Sequence, residues 1–433
     1  MTKTFFIETW GCQMNDLDSQ RLSGNLKLRG YRRVDDQSQA DLILLNTCSI
    51  RDKSEQKVFS YLGRLRELKT QRDDLRIGVC GCVAQQEGEA IRERAPWVDF
   101  VMGPGNVGYL DEMLDGRRAV AVDFPDDRHY DYLTIDRPSA TKAQVTIIEG
   151  CNKNCTFCIV PTTRGREVSR PFDDVLREVR AAVETGRVEI ELLGQTVNAY
   201  RCPTSGRDFG ALLAAVAEIA GVARLRFMTS HPAEVNDSMI AAMRDHANIS
   251  RYLHLPVQSG SSKILRRMKR LYTRERYLET IARTRAAIPE IHFSTDMIVG
   301  FPGETEEDFA QSLSLIEEVR YGSMFAFKYS PRPGTPSLKL GDAVDDAMAS
   351  ERLNRLFAVH ERIKHEQLEA YRGRVLDVLV EGPSKHDPSM FAGRTDDNHV
   401  VNFTAGRAAA PGSMLGVRID AAQHHTLRGE ALA

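Results

Sequence analysis

The chain has 433 residues, 42% of them hydrophobic, and a formal net charge of −2. That length predicts two or three domains with packed cores, and the near-neutral balance leaves any nucleic-acid contact to local patches. No segment approaches the roughly 18 apolar residues that span a bilayer, and eight cysteines without an export signal point to a reducing, cytoplasmic setting in which clustered thiols serve metal or catalysis.

In chain order, TFFIETW (Thr4–Trp10) reads as a strand and is followed by a helical run from about Leu17 to Leu28. DLILLNT (Asp41–Thr47) precedes the helical DKSEQKVFSYLGRLRELK, and LRIGVCG supplies a third strand. This alternation predicts a doubly wound parallel sheet over residues 1–120, an α/β arrangement. Cys12, Cys48 and Cys82 each end one of these strands. The C-terminal ends of consecutive parallel strands converge on one sheet edge, so these thiols are expected to meet there although they lie far apart in sequence. They read either as three small buried hydrophobes or, as convergence favours, as the ligands of a shared cluster. Cys80, two residues back on the pleat, reads as a buried structural thiol. The polar, Asp-rich Phe124–Lys142 reads as a linker.

Six further strands are predicted at Gln144–Glu149, Glu189–Gly194, Arg224–Ser230, Tyr252–Val257, His292–Gly300 and Met324–Ser330, with helices between most of them, among them Arg276–Ala287 and Glu306–Val319. Thr305 and Asp308 have capping-box spacing. Six strands with crossovers predict a partial (β/α)6 barrel over residues 137–367. Just past its first strand stands EGCNKNCTFCIV, with Cys151, Cys155 and Cys158 spaced C-x3-C-x2-C. Zinc normally takes four ligands, and the next cysteine, Cys202, is distant and reads as an ordinary loop residue. A disulfide would leave one thiol over and needs an oxidising compartment. Three thiolates on one loop can instead hold three irons of a [4Fe–4S] cluster. The fourth iron stays open to chelate the amine and carboxylate of S-adenosylmethionine (SAM), which an electron cleaves to a 5′-deoxyadenosyl radical.

Gln195, His231, Gln258 and Asp296 are candidate rim residues for contacting SAM, although any barrel rim carries such groups. GFPGET (Gly300–Thr305) reads as a strand-to-helix turn. The basic run Ser262–Tyr277 reads equally as a solvated helix face or as an RNA-backbone contact. After a long charged helix (Asp342–Tyr371), residues 370–433 read as short strands between Gly, Pro and Asp turns, a small β-barrel. That segment has no basic excess, with six Lys/Arg from Gly373 onward against seven Asp/Glu.

The cysteine spacing with Phe157 before the last thiol resembles the radical SAM superfamily. GCQMNDLDS, NTCSIRDKSEQKVFSYLG, GCVAQ, EGCNKNCTFCIVPTTRGRE, LLGQTVNAY, HLPVQSGS and STDMIVGFPGET together resemble the methylthiotransferases, with Gln13–Asn15 and Ser49–Lys57 similar to the MiaB type and the C-terminal barrel similar to a TRAM domain, which in this family docks RNA. The resemblance implies insertion of a methylthio group at carbon 2 of N6-dimethylallyladenosine at tRNA position 37, in the anticodon loop. It further implies two [4Fe–4S] clusters, the auxiliary one associated with the sulfur, and SAM as both methyl donor and radical source. An electron donor such as a flavodoxin-like reductant is implied, and no membrane. Two other readings compete: a sister enzyme acting on a ribosomal-protein aspartate or threonylcarbamoyl adenosine, and a non-catalytic two-cluster electron carrier with an RNA-binding tail. An intact barrel with polar strand ends argues against the carrier.

Overall fold

A computed structural model describes residues 2–49, 54–124, 134–385, 387–406 and 409–432. Residues 50–53, within the Ser49–Lys57 word, and residues 125–133 of the expected linker lie outside the described residues. The chain forms two compact units, residues 1–138 with 149–153 and 158–168, and residues 139–148 with 154–157 and 169–433.

The first unit carries six parallel strands, β1 (Thr4–Thr9), β2 (Arg32–Arg33), β3 (Leu42–Thr47), β4 (Arg76–Gly81), β5 (Phe100–Met102) and β6 (Val120–Ala121), ordered β2-β1-β3-β4-β5-β6. Successive side chains of a strand point to opposite faces, and both faces here are apolar. Ile43, Leu45, Ile77 and Val79 pack on Val58, Leu62 and Leu65 of helix α2 (Ser54–Gln71). Leu42 and Leu44 pack on the other face with Leu22 and Leu26 of helix α1 (Gln13–Leu28). That division makes the sheet doubly wound, as the alternation predicts. Helix α1 begins four residues before the expected Leu17, because Asn15 Oδ1 turns back to accept from the N–H of Cys12 (3.5 Å) and caps the helix there.

The second unit contains six parallel central strands: β7 (Lys142–Thr146), β8 (Glu189–Leu193) and β9 (Arg224–Phe227) in one sheet, β10 (Tyr252–His254), β11 (His292–Val299) and β12 (Ser323–Lys328) in the other. A parallel bridge between Leu225 and Ile249 joins the two, so the strands follow one another in chain order. All six stand where the sequence pattern puts them, within three residues at each end, and Gln144–Glu149, Arg224–Ser230 and Tyr252–Val257 each stop three residues early. Their outer residues, among them Val145, Ile190, Leu192, Leu253, Phe293 and Met297, form one core with the covering helices. The helix Glu306–Val319 opens on the expected capping box, Thr305 with Asp308.

The inner residues of β7, β8 and β9 are charged and matched in register. Lys142 meets Glu191 at 2.8 Å, and Arg226 and Arg224 meet Glu189 at 3.3 and 4.0 Å. A closed five-stranded barrel follows the long helix Asp346–Glu369, with strands β13 (Val375–Pro383), β14 (Phe391–Thr395), β15 (Val400–Thr404), β16 (Met414–Ala422) and β17 (Thr426–Ala431) in the order β13-β14-β15-β17-β16. Its β14–β15 turn docks on the N-terminal ends of the central strands. Arg224 Nη1 donates to the Arg394 carbonyl (2.6 Å), Arg226 Nη2 to the Thr395 carbonyl (2.7 Å), and the Arg251 N–H to Asp396 Oδ2 (3.0 Å). Tyr371 closes the seam by hydrogen bonding to His292 Nε2 (2.9 Å) and donating to Asp397.

Candidate active site

Three thiols stand where strands of the N-terminal sheet end. Register pairs Thr47 with Gly81, so Cys48 and Cys82 are the next residues out of β3 and β4. Cys12 follows β1 as the residue that caps α1, and Cys82 opens a short helix, Cys82–Glu87. Gly81 has φ of +90°, and a Cβ there would lie 2.4 Å from both Asn46 Oδ1 and the Thr47 carbonyl, so only glycine fits between Cys80 and Cys82. Cys80 faces the sheet core beside Leu44 and Phe100. Burial, with a smaller push from Asp18, raises its thiol pKa to about 12, which makes it inert. Burial also raises the Cys82 thiol, but the Arg164 guanidinium opposes that rise by charge and hydrogen bond. Arg164 lies in a helix just past Cys158 and donates to Asp18 Oδ2 at 2.7 Å, both side chains being 4% exposed. Cys12 and Cys82 are both within its electrostatic reach.

The second triad occupies the loop after β7. Gly150 adopts φ of +75°, and a Cβ there would meet the Arg166 carbonyl at 2.1 Å, so the turn into Cys151 also demands glycine. The Cys151 N–H donates to the Gly165 carbonyl at 3.2 Å. On the other side of the loop, Cys155 is buried and Thr156 stitches it to the segment after β10: its N–H donates to the Met268 carbonyl (3.0 Å) and its hydroxyl to the Arg267 carbonyl (3.0 Å).

That segment belongs to the basic run, which the structure divides. Lys263 pairs with Asp308 at 2.8 Å and Arg274 with Glu318 at 2.9 Å, so these cations brace the fold. Arg270 turns inward, only 6% exposed. Its Nη1 donates to Cys155 Sγ (3.3 Å), Nε to the Tyr272 hydroxyl (3.0 Å) and Nη2 to the Pro256 carbonyl (2.9 Å). No carboxylate pairs with it among the described residues. A buried guanidinium without a counter-charge costs several kcal/mol, and a metal-bound thiolate at Cys155 would supply that charge. The donor set therefore fits an iron–sulfur cluster.

The four rim candidates sit in the second unit's central domain. Gln195 follows β8 and is half-buried; His231 follows β9 and Gln258 follows β10, both buried. Asp296 differs, lying inside β11 rather than at its end. The structure brings Gln258 and Asp296 together, with the Gln258 N–H donating to the Asp296 carbonyl at 2.9 Å. His254 Nε2 lies 3.5 Å from Asp296 Oδ1. Asn198, in LLGQTVNAY, clamps His231 by accepting from its N–H (2.8 Å) and donating to its carbonyl (2.9 Å), while the His231 ring sits edge-on to Tyr272. Arg270, Arg164 and Asn198 escape sequence reasoning. The one signal for Arg270 is its place two residues before Tyr272 in a run whose other cations stay outside. Cys202 lies in a loop, as expected, and is buried there with Thr204 Oγ1 3.2 Å from its Sγ.

Three family models match this chain in series: Uncharacterized protein family UPF0004 at residues 4–103, the Radical SAM superfamily at 145–316 and the TRAM domain at 369–432. A tRNA-2-methylthio-N(6)-dimethylallyladenosine synthase of Alkalilimnicola ehrlichii is 48% identical over 441 residues, covering 100% of this chain and 98% of the relative. The chain belongs to that synthase family. A Stutzerimonas stutzeri member is 47% identical over 442 residues, with 100% of both chains covered. Membership of the radical SAM superfamily brings a [4Fe–4S] cluster and SAM as cofactors. Among solved structures, the radical SAM methyltransferase TsrM from Kitasatospora setae shares the fold, with TM-score 0.57 at 14% identity over 78% of this chain and 77% of that one. The cobalamin-dependent radical enzyme OxsB also shares it, with TM-score 0.52 at 15% identity over 84% of this chain and 56% of that one. No helix of the described residues is long and apolar enough to cross a membrane.

Proposed function

We propose that the protein is a cytoplasmic radical SAM methylthiotransferase that inserts a methylthio group at carbon 2 of N6-dimethylallyladenosine at tRNA position 37. The full-length identity to synthases of that name carries this reading. In it, residues 1–120 hold the auxiliary [4Fe–4S] cluster on Cys12, Cys48 and Cys82. Residues 137–367 hold the SAM-binding cluster on Cys151, Cys155 and Cys158, with Gln195, His231, Gln258 and Asp296 facing SAM, and residues 370–433 grip the tRNA. When bound, the cluster and SAM supply a 5′-deoxyadenosyl radical; carbon 2 of adenine, poorly acidic and without a leaving group, needs one. The chain's own part is to hold and orient. Asn198 fixes the His231 backbone, Thr156 fixes the loop, and Gln258 is locked onto β11. The anticodon loop is single-stranded, so its base can be splayed out without opening a duplex.

The test is anaerobic turnover with SAM, a flavodoxin-like or chemical reductant, and tRNA with or without the prenyl group, read by mass spectrometry of position 37. Methylthiolation of the prenylated tRNA alone is the expected result. Equal modification of both tRNAs, or activity only on a ribosomal protein, would overturn the substrate. Release of no 5′-deoxyadenosine would instead favour an electron carrier.

A further inference from the structure

Two observations at Arg270 are independent of each other. One is the contact already described, a buried cation that donates to the Cys155 sulfur and pairs with no carboxylate among the described residues. The other is the backbone. Lys269 and Leu271, on either side, adopt φ of +55° and +63°. Neither is glycine, and each side chain held in the left-handed region carries a cost of roughly 1 kcal/mol or more. Leu271 is also 74% exposed, so no apolar burial offsets its strain. What the distorted segment achieves is the aim of a single guanidinium, held by Tyr272 and Pro256 on two of its edges and pointed at Cys155 with the third.

The auxiliary triad offers a contrast within its own unit. Arg164 is equally buried, but Asp18 neutralises it at 2.7 Å. Arg270 has no such partner among the described residues and directs its charge toward the sulfur.

We propose that Arg270 is a positioning residue that raises the reduction potential of the cluster on Cys155, and that its lack of a carboxylate partner is what gives it this effect. The inference rests on the functional reading above. Reduction adds one electron, taken from an external low-potential donor of the flavodoxin type, and so one negative charge. A hydrogen-bonded cation in a low-dielectric pocket stabilises that added charge, and hydrogen bonds to cluster sulfurs are among the levers that set such potentials. Arg270 takes no part in bond breaking. It makes the electron easier to deliver.

The experiment is an EPR-monitored redox titration of the fully reconstituted chain, following the [4Fe–4S] signal that changes shape on adding SAM. Arg270→Met is expected to lower the reduced-to-oxidised ratio of that signal at least tenfold at a fixed solution potential, which is about 59 mV for one electron. Arg270→Lys, which keeps the charge but loses the three-way hold, is expected to fall between. The SAM-insensitive signal should titrate unchanged in both. An unaltered midpoint in Arg270→Met with full iron content overturns the proposal. If Arg270→Met does not load iron, Arg270→Lys decides: a lowered midpoint supports the role and an unchanged one overturns it. Absence of any SAM-responsive signal in the unaltered chain would instead overturn the functional reading itself.

Discussion

Cys80 and Cys82 are two residues apart and have different surroundings. Cys80 points into the sheet core, where burial holds its thiol protonated; Cys82 lies past the strand, beside Arg164 and within reach of Cys12. Replacing Cys80 with Ala removes one buried sulfur and is expected to cost about 1–2 kcal/mol of stability, with iron content per chain unchanged. Cys82→Ala is expected to lose roughly half of the iron while SAM cleavage persists. Iron analysis beside a thermal melt separates the two, and iron loss in Cys80→Ala with retention in Cys82→Ala would reverse the assignment. The distinction was legible in the sequence because a pleat has period two and GVCGC straddles a strand end. Arg270 was not legible. Its partner Cys155 is 115 residues away, and a cation inside a basic run has the same local pattern whether it points out or in.

At the scale of elements, the long helix Asp346–Glu369 carries one group whose titration matters. His360 is 3% exposed on its inner face. Burial, reinforced by the Lys364 charge, pulls its pKa from 6.5 down to about 4, against a smaller opposing pull from Glu361. Below pH 6.5 the unfolded chain therefore binds a proton that the folded one refuses. Stability is full above that pH and falls as the pH drops toward 4, by roughly 2 kcal/mol at pH 5. His360→Leu is expected to flatten this dependence in denaturant melts at pH 7 and pH 5; an equal acid loss in both proteins would exclude His360 as its source. The elements themselves were largely legible, since the six central strands and the Thr305 cap rest on local patterns. The early start of α1 was hidden because cysteine is an uncommon cap. The inner charges of β8 and β9 were visible as EIE and RLR, but nothing in those words says that a turn from a distant barrel accepts hydrogen bonds from the two arginines of RLR.

For the whole molecule, the docking of the β14–β15 turn has a consequence for kinetics. Arg224, Glu189 and His292 are the first residues of their strands, so the small barrel sits at the strands' starting ends. Cys155 and its contacts lie in loops that follow strands, at the finishing ends. A five-residue strand separates the two ends by about 17 Å, beyond the direct reach of a small-barrel side chain toward chemistry at the finishing ends. In the function proposed above, the small barrel is thus a handle for the nucleic acid and the finishing ends of the strands are the cutting edge, each set independently. Energy gained at the handle is the same before and during the reaction, so it changes how much tRNA is captured and leaves the speed of the captured complex alone. Replacing the exposed Arg374, Lys385 and Arg418 with Gln should raise KM for tRNA several-fold and flatten its salt dependence, with kcat unaltered in steady-state assays. A matching fall in kcat would mean that the handle reaches the edge after all. If the two ends are independent, this small barrel could be exchanged for another RNA-gripping module to redirect the enzyme to a different RNA without rebuilding its chemistry.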